Sequence, residues 1–196
     1  MIIDYDEIRN VDLSRLIKIV SKKHRDIVNG EAGKEHYKLL AYLSKIAKGL
    51  IVELGTHYGT SSMALAENPS NIIITYDVRD VYTIKHQPKN VFRIIGNIFD
   101  LGEERILLKA DLIFLDTAHK ADFEWQVFCY LKENNYKGVL LVDDIYFSDE
   151  MIEFWNKIDV LKYDLTDIGH GGGITPLGNI SGTGLVDFMG GVVVNK

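Results

Sequence analysis

The sequence is 196 residues long, which is enough for one well-buried domain and short for two. Its formal net charge is −6, and no basic stripe is evident, which argues against nucleic acid as a substrate. The single cysteine, Cys129, excludes an intrachain disulfide and a multi-cysteine zinc site.

The N-terminal part of the chain has the amphipathic spacing of helices. Asp12–Val28 and Lys34–Ala47 predict two helices that cover an edge of the domain or form a lid or an oligomer contact, within an N-terminal helical cap over residues 1–48. The first ten residues are acidic and lack the apolar region of a secretory signal. No apolar run approaches the roughly 20 residues that span a bilayer, so we expect a soluble, cytoplasmic protein.

From residue 50 onward, short β-branched apolar runs alternate with helix-patterned stretches. Most of the runs lack polar alternation, which is typical of parallel strands buried on both faces. The alternation predicts a doubly wound, mostly parallel, Rossmann-like α/β sheet over residues 49–196, in a single domain. The predicted strands are Leu50–Leu54, Asn71–Asp77, Val91–Ile95, Asp111–Asp116 and Gly138–Asp143, and the predicted helices are Thr60–Glu67, Leu101–Lys109 and His119–Asn134, with a short helix or loop at Asp80–Pro88.

The pattern changes after Asp143. A helix is predicted at Ser148–Ile158, with Ser148 as its N-cap. Val160–Ile168 and Gly184–Phe188 resemble antiparallel strands, so we expect a seven-stranded sheet with an antiparallel last strand. The Gly-rich connection between them, which includes Gly171–Thr183, is long for a small domain, and such loops are more often functional than plain turns.

The segment Ile51–Ser62 is predicted to be a cofactor loop, because it follows a strand and opens a helix. Gly55 can take a positive φ at the sharp turn, and Gly59 lets the backbone approach a ligand closely. The amides that begin the next helix favour an anion, either a pyrophosphate or an amino-acid carboxylate. The dinucleotide fingerprint would need further glycines at His57 and Thr60, so the G-x-x-x-G spacing favours a methionine moiety over a dinucleotide.

An acidic side chain ends the next predicted strand. Asp77 can accept both hydroxyl groups of an adenosine ribose there, although a turn-starting or helix-capping aspartate is the alternative. Asn97 and Ile98 follow the third strand and would lie beside the base of the same nucleoside. An ordinary turn role for Asn97 is an equal alternative.

Strand, glycine loop, helix, strand and acidic end together resemble the class I S-adenosylmethionine (SAM)-dependent methyltransferases. Their first motif, E-x-G-x-x-x-G-x-S, is represented by Glu53, Gly55, Gly59 and Ser61. The resemblance implies that Glu53 lies near the methionine amino group and that Ser61 binds the methionine carboxylate. It also implies that the loop backbone, including Thr56, contacts the cofactor.

Three carboxylates lie at the ends of the fourth and fifth predicted strands. If the fourth strand pairs with the first, Asp116 faces Gly55 across the crevice where ligands gather, and it would contact the cofactor. Asp143 and Asp144 would complete a cluster that a hard cation relieves, with Mg²⁺ favoured and Mn²⁺ or Ca²⁺ as alternatives. Asp116 could instead cap a helix. Adjacent residues of an ideal strand point to opposite faces, so Asp143 and Asp144 reach one metal only if the chain turns.

The pattern D-x-x-H after the fourth strand and D-D after the fifth resembles the metal-dependent O-methyltransferases of the catechol and macrolide-sugar types. The resemblance implies that Asp116, Asp143 and Asp144 are metal ligands and that His119 is a general base. A solvated histidine in a first helical turn is the alternative for His119. The catechol type commonly has Asn at the position of Asp144, so the sequence lies closer to the sugar and natural-product branch.

The expected function is therefore metal-assisted transfer of a methyl group from SAM to a hydroxyl of a small molecule, such as a sugar, phenol or natural product. The alternatives are an NAD-dependent oxidoreductase and a non-catalytic SAM-binding protein. The acidic charge and the lack of an Asn-Pro-Pro-aromatic sequence weaken an N-methyltransferase or a nucleic-acid methyltransferase. We expect neither nucleic acid nor a membrane as a partner, and a homo-oligomer is possible.

Overall fold

The computed structural model of the chain describes residues 1–20, 22–29, 31–169 and 181–196. Most of the predicted functional connection Gly171–Thr183 therefore lies outside the described residues, which include only its last three positions. His170, which precedes that connection, lies outside them as well.

A seven-stranded sheet forms the centre of the molecule, with the strand order β4-β3-β2-β5-β6-β8-β7. Six strands run in the same direction, and β8 runs antiparallel to both of its neighbours, β6 and β7. This arrangement confirms the predicted mostly parallel sheet with an antiparallel last strand. The strands are β2 Leu50–Leu54, β3 Ile72–Asp77, β4 Val91–Ile95, β5 Leu112–Leu115, β6 Val139–Asp143, β7 Lys162–Asp164 and β8 Thr183–Asp187; a separate parallel pair is formed by β1 Ile2–Asp4 and β9 Val193–Asn195.

Helices cover both faces of the sheet. Ser148 is the N-cap of α7, and its side chain accepts a hydrogen bond from the Met151 amide, as predicted. None of the helices within the described ranges has the length and apolarity that crossing a lipid bilayer requires. The helices are α1 Tyr5–Arg9, α2 Ser14–Ile19, α3 Lys22–Asn29, α4 Glu31–Ile46, α5 Thr60–Leu65, α6 Asp122–Glu133, α7 Asp149–Lys157 and α8 Thr166–Gly169, with a 3₁₀ helix at Glu104–Lys109.

Two helix predictions were wrong in their extent. Asp12–Val28 is not one helix, because Val20 takes an extended conformation (ψ 154°) and its buried side chain packs in the core between α2 and α3. The predicted helix Leu101–Lys109 is only a 3₁₀ helix that begins at Glu104, since Gly102 has a left-handed φ of 68° that interrupts a helix. Residues 80–88 form a loop without a helix.

The two faces of the sheet have separate hydrophobic cores. One core includes α4, α5 and the inward side chains Phe114 and Leu141, and the other includes α6 and α7. Because strand side chains alternate, Asp143 lies on the same face as Leu141 and points toward α4. This orientation of Asp143 places the carboxyl end of β6 beside α4, one of the N-terminal helices.

Candidate active site

A cavity of about 420 Å³ opens at the carboxyl ends of β2, β3, β4 and β5. It lies beside the switch point of the sheet, since β2 pairs with β3 on one side and with β5 on the other. Its volume lies within the range of small-molecule sites. Five of the predicted cofactor residues line it: Gly55, Asp77, Asn97, Ile98 and Asp116.

Gly55 joins the loop after β2 to the loop after β5. Its φ is 108°, and a β-carbon placed on it would stand 1.6 Å from the Asp116 carbonyl oxygen. The Gly55 amide donates to the Tyr76 carbonyl of β3 at 2.8 Å. The predicted left-handed turn is therefore confirmed, and only glycine fits there without moving the backbone.

Gly59 also has a positive φ, 88°, and is the N-cap of α5. A β-carbon on Gly59 would stand 2.2 Å from Cε2 of Tyr82. In this conformation the ring of Tyr82, from the loop between β3 and β4, occupies the place that was predicted for a ligand, and the contact of Gly59 with a cofactor stays a prediction.

Four of the predicted cofactor residues, Glu53, Thr56, Gly59 and Ser61, do not line the cavity. Glu53 is fully buried, and burial raises its pKa to about 7, although the hydroxyls of Ser61 and Ser62 bond to its carboxylate. The Thr56 hydroxyl lies 2.5 Å from the hydroxyl of Thr75 on β3. In this conformation the side chains of Glu53, Thr56 and Ser61 bond to neighbouring side chains outside the cavity lining. Their contacts with a cofactor stay predictions.

Asp77 lines the cavity and also shapes its wall. Its carboxylate accepts hydrogen bonds from the His57 amide at 2.7 Å and the Arg79 amide at 2.8 Å. Asn97 similarly accepts from the Phe99 amide at 2.9 Å. The turn-forming alternatives for Asp77 and Asn97 are thus present in the structure, at positions that still face the cavity.

His119 connects two of the three predicted metal ligands. Its Nε2 atom lies 3.1 Å from Oδ2 of Asp144 and 3.4 Å from Oδ1 of Asp116. The imidazole is 14% exposed and lies near the Phe147 ring, with the centroids 5.3 Å apart. Burial lowers the pKa of His119, but the two carboxylates raise it by more, so that it lies above its ordinary value.

Asp143 and Asp144 diverge because the chain turns between them. Asp144 has a left-handed φ of 57°, which directs its carboxylate to His119. Asp143 is buried on the α4 side, where its Oδ1 lies 3.0 Å from the Thr183 hydroxyl and 3.7 Å from Nδ1 of His36. Burial, together with the charges of Asp116 and Asp144, raises the pKa of Asp143 well above its usual range.

The predicted metal ligands therefore do not surround one point in this conformation. Within the described ranges, no group of three or more His, Cys, Asp and Glu side chains is arranged to hold a metal ion. Two of the three carboxylates instead contact the imidazole of His119.

Sequence reasoning missed several residues of this site. His36 and its neighbour Tyr37 come from α4, and burial, together with the charges of Asp116 and Asp143, raises the pKa of the Tyr37 hydroxyl. Glu124 accepts a hydrogen bond from the His119 amide. No sequence motif marks these residues, because their positions fit ordinary amphipathic helices.

Left-handed backbone conformations are concentrated at the site. Five non-glycine residues of the described chain have a positive φ, and four of them, His57, His119, Ala121 and Asp144, lie in the loops around the cavity or beside His119. Such conformations are unfavourable for residues with a β-carbon and persist only where the surroundings hold them. The fifth, Asn135, follows the C-terminus of α6.

No protein-family model matches this sequence, and no curated protein matches it as a relative. Solved structures do match. The O-methyltransferase TomG from Streptomyces achromogenes, which is involved in tomaymycin synthesis and was solved with SAM, is 18% identical, with a TM-score of 0.57 and 93% of each chain covered. An O-methyltransferase from Bacillus cereus in complex with SAH is 15% identical, with a TM-score of 0.55 and coverage of 93% of this chain and 94% of that one.

A third structure, the SAH-bound methyltransferase PaMTH1 from Podospora anserina, is 13% identical, with a TM-score of 0.50 and coverage of 86% and 88%. All three identities are low, so the similarity is one of fold. The chain has the fold of the class I SAM-dependent O-methyltransferases.

Proposed function

We propose that this chain is an enzyme that transfers the methyl group of SAM to a hydroxyl of a small molecule. One observation carries the proposal: a single cavity connects Asp77 and Asn97, where the nucleoside would lie, with Asp116 and His119. The fold it shares with O-methyltransferases solved with SAM or SAH supports the same cofactor.

The chemistry is a nucleophilic substitution. The acceptor oxygen attacks the methyl carbon, the carbon–sulfur bond of the sulfonium breaks, and SAH leaves. The acceptor proton passes to the imidazole of His119, a base near neutral pH whose Nε2 faces the carboxylates of Asp116 and Asp144. The carboxylates of Asp116 and Asp144 stabilise the resulting imidazolium through their contacts with the same nitrogen.

The proposed acceptor is a small hydroxylated molecule, such as a sugar, phenol or natural product, and neither nucleic acid nor a membrane is a proposed partner. The net charge of −6 and the carboxylates beside the cavity support this class, since both repel a polyanion.

A divalent metal is a separate proposal. The donor chemistry supports it, because Asp116, Asp143 and Asp144 are hard oxygen ligands whose mutual repulsion a cation relieves. When bound there, the metal would lower the pKa of the acceptor hydroxyl. Such an ion would compete with the imidazole of His119, which already contacts two of the three carboxylates.

Calorimetry with SAM and with NAD tests the cofactor, and transfer of a labelled methyl group from SAM to a panel of sugars and phenols tests the reaction. We expect saturable binding of SAM, none of NAD, and label in an oxygen-methylated product. Binding of NAD instead of SAM would overturn the proposal. Tight SAM binding with no product from any hydroxylated acceptor would favour a non-catalytic SAM-binding protein.

A further inference from the structure

The loop between β5 and α6, residues 116–121, holds the two side chains on which the proposed reaction depends, Asp116 and His119. Its backbone is in an unusual conformation, since His119 has a φ of 53° and Ala121 a φ of 65°. Ala121 is also the N-cap of α6 and has no side chain that can cap the helix. Within the loop, the His119 imidazole contacts the Asp116 carboxylate, and further contacts come from α6.

Glu124, the third residue of α6, makes those contacts. It is a carboxylate with only 2% of its surface exposed. Its Oε1 accepts a hydrogen bond from the His119 amide at 3.2 Å and a shorter one from the Thr117 hydroxyl. Both donors belong to the 116–121 loop.

The arrangement departs from the usual use of glutamate at this helical position. In a capping box, a glutamate at the third position bonds to the amide of the N-cap residue. Glu124 instead accepts hydrogen bonds from His119 and Thr117, which precede the N-cap residue Ala121 by two and four positions. A buried carboxylate is unfavourable unless it is hydrogen-bonded, and an apolar side chain would pack more readily beside Val127 and Phe128.

We infer that Glu124 is a positioning residue, which sets the conformation of the 116–121 loop and thereby holds His119 between Asp116 and Asp144. Glu124 does not line the cavity, so it acts through the loop. Four loop residues, 116 to 119, do line it, and loss of the Glu124 contacts therefore disturbs the cofactor site as well. The catalytic consequence rests on the proposed function, whereas the effect on the loop does not.

Three variants test the inference. Glu124→Leu removes both accepted hydrogen bonds, and Glu124→Gln keeps an oxygen at the same distance from the backbone but removes the charge. Glu124→Asp keeps the charge but shortens the side chain, so it cannot reach both donors. Asp122→Asn is the matched control, because Asp122 is an exposed carboxylate in the same first turn.

Two readouts need no methyl acceptor: hydrogen exchange of the His119 amide measured by NMR, and the affinity for SAM measured by calorimetry. We expect Glu124→Leu and Glu124→Asp to accelerate exchange and weaken SAM binding by about tenfold or more. Glu124→Gln and Asp122→Asn should stay within about threefold of the wild type. A role in stability alone would not separate Gln from Asp in this way.

Wild-type exchange and SAM affinity in the Glu124→Asp variant would overturn the inference, even if Glu124→Leu fails to fold. Equal losses in Glu124→Gln and Glu124→Leu would also overturn it, since charge rather than the accepted hydrogen bonds would then matter. If the wild-type protein binds no SAM, the proposed function fails, while exchange at His119 still decides whether Glu124 positions the loop.

Discussion

Gly55 and Asp116 are in direct backbone contact across the switch point of the sheet, where a β-carbon on Gly55 would stand only 1.6 Å from the Asp116 carbonyl oxygen. This contact joins the end of the first strand of the site, β2, to the end of β5. His57, which follows Gly55, lines the cavity, and so do the residues from Asp116 to His119. Backbone contact therefore fixes how closely the two loops approach each other, whereas the position of His119 within its loop also depends on the Glu124 side chain.

Replacement of Gly55 by alanine should be strongly destabilising, because both the left-handed φ and the contact with Asp116 oppose a β-carbon. We expect the free energy of unfolding to fall by about 2–4 kcal/mol, measured by denaturant titration. Gly102→Ala is the control, since Gly102 has a φ of 68° but no neighbouring atom within 4 Å of the point where a β-carbon would stand. Equal losses in the two variants would show that the contact with Asp116 contributes nothing.

Removal of the Asp77 carboxylate should weaken SAM binding. The carboxylate lines the cavity and also orders the amides of His57 and Arg79. We expect Asp77→Ala to raise the dissociation constant for SAM by about 10- to 100-fold in calorimetry, as is typical for loss of hydrogen bonds to a charged group. Asp80→Ala, which removes an exposed carboxylate paired with Arg93, should leave the affinity unchanged.

Replacement of His119 by alanine should lower the maximal turnover at saturating SAM. A positioned base contributes about 10²–10⁴-fold, so a loss of that size is expected in a labelled-methyl assay. His86→Ala serves as the control, because His86 is exposed and lies outside the residues that line the cavity. Full turnover in His119→Ala would remove His119 as the base.

Chelation tests the proposed metal. If a divalent cation assists the reaction, EDTA should lower turnover by about 10²-fold or more, and Mg²⁺ should restore it. The Asp143→Ala variant should show no stimulation by Mg²⁺. Asp149→Ala removes an exposed carboxylate in the first turn of α7 and should respond as the wild type does. Activity that EDTA leaves unchanged would exclude the metal role.

The buried Glu53 should make stability depend on pH. Its pKa rises from 4.5 to about 7 on folding, so the folded state binds the proton more tightly than the unfolded chain. Below about pH 4.5, Glu53 is protonated in both the folded and the unfolded state, so its burial does not reduce the free energy of unfolding through ionisation. Between about pH 4.5 and 7 the unfolded chain loses this proton more readily, so the free energy of unfolding falls, and above about pH 7 the loss is constant at about 3 kcal/mol.

Glu53→Gln removes this titration. The unfolding free energy of the variant, relative to the wild type, should therefore increase between about pH 4.5 and 7 and then stay level. Glu133→Gln, an exposed position at the end of α6, should show no such pH-dependent difference. A difference between Glu53→Gln and wild type that does not vary with pH would contradict the raised pKa.

The elements that depend on local pattern were predictable. Apolar runs without polar alternation identified the five parallel strands from β2 to β6, and the central strands β2, β5 and β6 are buried on both faces, as that pattern indicates. Ser148 identified the start of α7, since capping depends on one side chain and an amide three residues away. The pairing of β2 with β5 was only a condition at the level of sequence, and the structure meets it.

The contacts that define the site were less predictable, since they depend on residues distant in sequence or on backbone conformation. His36 reaches Asp143 from a helix more than 100 residues earlier, and no local pattern encodes that approach. The sequence showed that Asp143 and Asp144 could share a site only if the chain turned. The left-handed φ of Asp144 makes that turn, but it directs Asp144 to His119 rather than to Asp143.

The left-handed residues around the cavity have a consequence for engineering. Each of His57, His119, Ala121 and Asp144 holds a conformation that glycine would adopt with less strain. A selection for thermal tolerance alone would therefore enrich glycine at these four positions, and the selected proteins would lose the rigid geometry of the pocket. Directed evolution of this chain needs selection on turnover at these positions and can select on heat resistance elsewhere.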